Sequence, residues 1–211
     1  MVSHELKTPI TVIRGQLESM IMGVGDFKNY EKYLPQVLAV TEEMENLVKE
    51  ILAIPKMEAM GIESNMMEIS ITDIVKECIQ SLEPLADEKQ ITSHVELGDN
   101  VQITAQPQLM KKAISNIISN AIRHSPNGEN VIIQLTGKSL IVENSGVTIF
   151  ADDPTNMFTP FYRVDKSRNR SSGGSGLGLY IVKTILDLHH LECRMENGMN
   201  SVIFTINLNQ N

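Results

Sequence analysis

Over the first sixty residues the apolar positions recur at helical spacing. Leu6, Ile10, Ile13, Leu17 and Met20 are separated by 4, 3, 4 and 3 positions, a heptad seam along one side of an α-helix. Gly23-Val24-Gly25-Asp26 interrupts it, and a second stripe follows through Leu34, Val37, Leu38, Thr41, Met44, Leu47, Val48, Ile51 and Leu52. Glu42, Glu43, Glu45, Lys49 and Glu50 lie between its members as a solvated face. The pattern predicts an α-helical hairpin. A lone hairpin cannot bury both seams, so a homodimeric four-helix bundle is the expected completion. Pro55 and Gly61 punctuate the end of the second helix, which predicts two domains, 1–62 and 66–211.

Beyond residue 66 the period changes. Residues 67–71 predict a short strand, with Ser70 or Thr72 capping a helix to about Asp87. Residues 91–97 and 101–104 alternate as strands. Residues 106–124 carry Leu109, Ala113, Ile114, Ile117, Ile118 and Ala121 at helical spacing, and Ser125-Pro126-Asn127-Gly128 ends that helix. Residues 131–135 and 139–142 predict a hairpin around Gly137-Lys138. Residues 144–175 read as irregular, 177–188 as a helix, and 191–196 with 202–208 as a closing hairpin through Asn197-Gly198. Hairpins and helices without regular β-α-β alternation predict an α+β two-layer sandwich. The irregular segment is longer than a connection needs and reads as a functional lid.

Composition narrows the function. The 211 residues hold 18 Lys and Arg against 26 Asp and Glu, a net charge of −8. An acidic chain is a poor candidate for coating nucleic acid or an anionic membrane. Aromatics are 4%, with no Trp and 12 Met, so the core is expected to be aliphatic with Met as filler. The two cysteines, Cys78 and Cys193, are too few for a disulfide scaffold or a Cys-based zinc site, and both fall in apolar patterns as reduced core residues. No apolar run is long enough to span a bilayer and no signal peptide opens the chain, so it reads as soluble and intracellular.

Three segments carry chemistry. In Ser3-His4-Glu5-Leu6-Lys7-Thr8-Pro9, the heptad places His4 off the buried seam, Glu5 beside it and Thr8 one turn on. An exposed imidazole next to a carboxylate is a nucleophile and general base pair, although a lone His near a terminus is more often an ordinary surface residue. Pro9 should bend the helix just past it. The segment Gly173-Gly174-Ser175-Gly176-Leu177-Gly178-Leu179 leads into a helix, whose first N–H groups can face phosphate. Arg163, Lys166, Arg168 and Arg170 precede it as a basic cluster in an acidic chain. Asn116 and Asn120 lie one turn apart on a helix, and an Asn carbonyl is a suitable Mg²⁺ ligand.

In this order and spacing the segments resemble the bacterial sensor histidine kinases of two-component systems. Residues 3–9 look like the H box, 116–124 the N box, and Phe158-Thr159-Pro160-Phe161-Tyr162-Arg163 the F box. Residues 174–179 are similar to the G2 box. The resemblance implies a dimerisation and phosphotransfer hairpin followed by a Bergerat (GHKL) ATP-binding sandwich. It implies His4 as phosphoacceptor, Glu5 assisting proton transfer, and Thr8 positioning water when the kinase dephosphorylates its partner. It implies Asn120 on Mg²⁺, with Asn116 near the metal and phosphates and Arg123, His124 and Lys166 near ribose or phosphates. Tyr162, Gly174, Gly176, Leu177 and Gly178 fall in the ATP-binding boxes, and 147–175 would be the ATP lid. ATP and Mg²⁺ are the implied cofactors. The implied partners are a response-regulator receiver domain and a second copy of the chain, with no nucleic acid. Such kinases carry a sensor and membrane helices before the H box. The chain is therefore expected to be the cytoplasmic portion of a cell-membrane sensor protein, linked to the membrane only through that missing N-terminal region.

One box departs from the family. The DxGxG pattern reads Asn144-Ser145-Gly146-Val147-Thr148 here, so an amide stands where the family's Asp meets the adenine amino group. That stretch and the H box resemble the vancomycin-resistance sensor kinases of the VanS kind. Two rival functions share the pattern: a GHKL ATPase driving a clamp, and a dimeric scaffold with a degenerate nucleotide pocket.

Overall fold

The computed structural model describes residues 2–59, 65–98, 100–149, 154–162 and 176–209. The chain forms two compact units, Met1–Ala59 and Met60–Asn211.

In the first unit, α1 (Val2–Ile21) and α2 (Tyr30–Ala59) pack together across a 3-10 turn, Gly25–Lys28. Gly23 and Gly25 adopt φ of +60° and +54°, the left-handed region that glycine enters without a Cβ penalty. Asp26 fixes the turn, accepting from Lys32 Nζ at 2.5 Å and from the Tyr33 hydroxyl at 3.1 Å. The Lys32 hydrogen bond, then that of Tyr33, holds its carboxyl below the usual value. The seam is only partly closed: Met20 and Leu47 are buried, whereas Ile10, Leu17, Leu34, Leu38 and Leu52 stay exposed. The second helix runs through Pro55 and ends at Ala59, between the two residues that punctuate it in the sequence. Proline removes one hydrogen bond and crowds the carbonyl four residues back. That weakens a helix without obliging it to stop, and α1 likewise continues through Pro9.

The second unit is the predicted sandwich. A five-stranded mixed sheet contains β2 (Thr92–Leu97), β4 (Asn130–Leu135), β5 (Ser139–Ser145), β7 (Ser201–Asn207) and β6 (Cys193–Asn197), in that spatial order. Only the β2–β4 pair is parallel. A separate antiparallel pair joins β1 (Met67–Ser70) to β3 (Gln102–Ala105). Helices α3 (Ile71–Glu88), α4 (Pro107–His124) and α5 (Gly178–Leu188) form the second layer, α4 in the middle and packed on β5. Ser70 caps α3, accepting from Asp73 N at 3.1 Å. Thr72, the other candidate cap, is buried and instead ties Gly98 O to Val101 N.

The core lies between the layers. Strict alternation puts Val131, Ile133 and Leu135 of β4, Leu140 and Val142 of β5, and Val202, Phe204 and Ile206 of β7 on one buried face. Ile114, Ile117 and Ile118 of α4 and Ile181, Val182 and Ile185 of α5 are buried in the facing layer. Each such side chain stabilises the fold by about 1.5–3 kcal/mol on leaving water. Cys78 belongs to this core, and burial pushes its thiol up to about 11. Cys193 is only half-buried, near the exposed sheet edge, although burial also raises it to about 11.

Candidate functional site

The phosphotransfer candidates lie near the start of α1. His4 and Glu5 are within the helix and their side chains fall outside the described residues; half-buried Thr8 follows His4 by one turn.

The nucleotide candidates converge on α4, the end of β5 and the start of α5. On α4, Ala113, Ile114, Ile117, Ile118 and Ala121 face the core. That orientation leaves Asn116 and Asn120, one turn apart, half-buried along the flank. The Asn116 Nδ2 is buried without a partner. A buried donor in that state is uncommon, and an ionised oxygen of a ligand would satisfy it. Arg123 and His124 form the exposed last turn.

Asn144, read from sequence as part of the irregular segment, is instead the sixth residue of the seven in β5. The strand's alternation turns it to the same buried face as Leu140 and Val142, where it is 7% exposed. No hydrogen bond ties its side-chain amide to another described residue. Gly146 follows with φ +75°, and a Cβ there would lie 2.8 Å from the Glu129 carboxylate. Glu129 in turn accepts from Ser145 Oγ at 2.7 Å. The loop leaving β5 is pinned from the β6–β7 turn. Gly146 N donates to Asn200 O, and the Asn197 amide exchanges two hydrogen bonds with the backbone of Ile149, at 2.8 and 2.9 Å.

The F and G2 boxes meet directly. Phe161 N donates to Gly176 O at 2.9 Å, and a Cβ on Gly176 (φ +70°) would lie 3.0 Å from Phe161 Cα. Phe158, in the 3-10 turn Pro154–Phe158, sets its ring edge-on to Phe204 at 6.1 Å. Leu177 is buried and anchors the start of α5. A Cβ at Gly178 would meet nothing within 4 Å. Tyr162 is half-buried beside this junction. Lys166 and Gly174, with Arg163, Arg168 and Arg170, lie outside the described residues.

Two supporting residues were not legible in the sequence. Lys89 Nζ donates to the carbonyls of Ile122, Arg123 and Ser125 at 3.0, 2.6 and 2.5 Å, closing the C-terminus of α4. A cation there also meets the negative end of the helix dipole. Burial, with Arg123 second, holds its ammonium below the usual value. At the other end of α4, buried His189 accepts from Gln106 N at 3.0 Å through Nε2 and donates Nδ1–H to Ile185 O at 2.7 Å. That pairing requires a neutral ring, and burial pushes the imidazole below its usual value.

No group of three or more His, Cys, Asp or Glu suited to a metal ion occurs among the described residues. Amide oxygen, ligand phosphate and water form one donor set open to a divalent cation here. That donor set suits Mg²⁺, and Asn116 and Asn120 can supply the amides. No helix among the described residues is long and apolar enough to cross a membrane.

Comparison with known proteins matches both units. Residues 1–59 match the family described as His Kinase A (phospho-acceptor) domain. Residues 105–210 match the Histidine kinase-, DNA gyrase B-, and HSP90-like ATPase family. The chain is 33% identical to Sensor protein VanSB of Enterococcus faecalis, over 98% of this chain and 47% of that protein. It spans about half the length of such curated relatives. Histidine kinase AdeS of Acinetobacter baumannii superposes with a TM-score of 0.78 at 24% identity, covering 99% of this chain and 98% of that one. Histidine kinase ThkA, solved in complex with response regulator protein TrrA, gives 0.75 at 23% identity, covering 98% of this chain and 59% of that one.

Proposed function

The chain belongs to the sensor histidine kinases, and from that footing we propose that it phosphorylates His4 with ATP and passes the phosphoryl group to an aspartate of a response regulator. The observation that carries this reading is the succession on one chain of a phospho-acceptor hairpin and an ATPase sandwich whose Asn116 Nδ2 is buried without a partner among the described residues.

In this reading Asn144 and Gly146 meet the base, and Asn116, Arg123, His124 and Lys166 meet ribose and phosphates. Tyr162, Gly174, Gly176, Leu177 and Gly178 shape the wall on which the phosphates rest, with the first turn of α5 beside them. Asn120 would hold Mg²⁺, which when bound would neutralise charge on the phosphate oxygens. Neutral His4 attacks the γ-phosphorus in line. Its N–P bond forms as the bond to the β-phosphate oxygen breaks, and ADP leaves. Glu5 takes the imidazole proton. The protein's contribution is chiefly positioning and preorganised charge. The phosphoryl group then moves to a carboxylate oxygen of the regulator as the N–P bond breaks. Thr8, one turn from His4, orients the water that hydrolyses the regulator's aspartyl phosphate, releasing inorganic phosphate and the free carboxylate. ThkA was solved with a regulator, which supports a partner of this kind. The exposed row Ile10, Leu17, Leu34, Leu38 and Leu52 supports closure of the hairpin by a second copy. The relatives' names as sensors support placing this chain as the cytoplasmic portion of a membrane sensor.

Incubation with γ-labelled ATP tests the reading. A protein-bound label that acid removes and base preserves is the expected result. Nucleotide turnover without label would favour the clamp ATPase, and absence of nucleotide binding would favour the scaffold.

A further inference from the structure

Asn144 is more than nine-tenths buried on the inner face of β5, in register with Val131 and Val202 on the flanking strands. Its amide has no partner among the described residues. An amide without a protein partner is free to pair with a ligand or water. The other buried polar side chains among the described residues are Thr72, Ser125, His189 and Ser201. Thr72, Ser125 and His189 are committed to backbone partners. Ser201 Oγ is also without a partner, but it lies on the opposite face of β7, against the Gly198 turn. No buried carboxylate stands beside Asn144 among the described residues.

Resting on the reading of Asn144 as the group that meets the base, we propose that the pocket takes 6-oxopurine nucleoside triphosphates as well as ATP. An ionised carboxylate only accepts hydrogen bonds, so it pairs with the 6-amino group of adenine and repels a 6-oxo oxygen. An amide carries one acceptor and one donor side by side. In one orientation Oδ1 accepts from the adenine 6-amino group while Nδ2 donates to N1. Rotating the amide by half a turn exchanges the two. Nδ2 then donates to the 6-oxo oxygen of hypoxanthine and Oδ1 accepts from its N1–H. The two purines present mirror-related donor and acceptor pairs, and a single amide satisfies both with the same number of hydrogen bonds. Nothing bonded to Asn144 among the described residues holds the amide in one orientation. A pocket that reads its base this way selects purine shape and the triphosphate, and discriminates weakly at position 6. Strong rejection of an analogue requires a polar group of the site to be left unpaired by it, and here neither base does so.

Calorimetric titration of the full chain with Mg-ATP and Mg-ITP decides the matter. The wild-type dissociation constants should agree within about tenfold, the scale of one neutral hydrogen bond. Asn144→Asp should keep ATP binding, up to about tenfold tighter, and widen the preference for ATP over ITP to about a hundredfold or more. ATP binding with ITP weaker by more than about tenfold in the wild type would overturn the proposal and leave the kinase reading intact. An unchanged ratio in Asn144→Asp would remove Asn144 from the base. Failure of both nucleotides to bind the wild type would instead bring down the nucleotide reading on which the proposal rests.

Discussion

Replacing His189 by Leu separates the hydrogen-bonding role of this residue from its bulk. The side chain is 2% exposed and joins the C-terminus of α5 to the residue that opens α4. Leucine retains an apolar body but cannot accept from Gln106 N. An N–H left without its partner costs about 1–3 kcal/mol when buried. Ile185 O keeps the backbone hydrogen bond from His189 N, so the loss of Nδ1–H adds little. The net expectation is about 1.5–2.5 kcal/mol, which for a chain of this size lowers Tm by roughly 4–8 °C. The pH dependence is the sharper signature. Burial depresses the folded-state imidazole below the ordinary value of 6.5, with His190 adding to the depression and the Ile185 hydrogen bond opposing it. The unfolded chain then takes up the proton first. The stabilisation is complete above pH 6.5 and is lost as pH falls through the depressed folded value. The wild type should lose stability across that window with a slope of up to about 1.4 kcal/mol per pH unit from this group, and His189→Leu should lack that component. Thermal melts of both proteins at pH 8 and at successive steps below 6.5 measure it. Equal Tm values at pH 8, or an equal acid slope in the variant, would refute the argument.

Three further outcomes follow from the site. Asn120→Ala should weaken Mg-dependent ATP binding by at least about tenfold, the scale seen when even outer partners of a metal are lost; undiminished binding at limiting Mg²⁺ would contradict the metal role. Lys89→Met keeps the aliphatic stem and deletes three hydrogen bonds at the end of α4. It should cost about 1–2 kcal/mol in urea unfolding at unchanged m-value, with Lys89→Arg recovering part, and an unaltered midpoint would count against the cap. Gly146→Ala should cost about 1–2 kcal/mol from its positive φ and its approach to Glu129. Adding Glu129→Ala should relieve only the second part, and full recovery of Tm would show that the backbone is unstrained.

The helices were legible because their signals are local. The stripe from Ala113 to Ala121 placed α4 and turned Asn116 and Asn120 to its flank. The alternation of β4 and the turn at Gly137-Lys138 placed the hairpin. The parallel pairing of β2 with β4 left no local trace, because its partners are 38 residues apart, Thr92 opposite Asn130. Pro55 and Gly61 bracketed the end of α2, which runs through the proline to Ala59, since one missing hydrogen bond weakens a helix without ending it. Asn144 looked like loop because Asn, Ser and Gly are turn residues, whereas register with Val131 and Val202 makes it strand. Lys89 and His189 hid their roles for the same reason. Lys89 reaches carbonyls 33 to 36 positions away, and His189 reaches an N–H 83 positions away, distances over which a sequence pattern carries no geometry.

Phosphorylation of His4 is the central claim, and labelling of His4→Gln tests it most directly. In the full chain with γ-labelled Mg-ATP, the variant should carry no acid-labile label. Its ATP dissociation constant should stay within about twofold of the wild type, as for independent sites. Retention of the acid-labile label by His4→Gln would place the phosphoacceptor elsewhere and contradict the account.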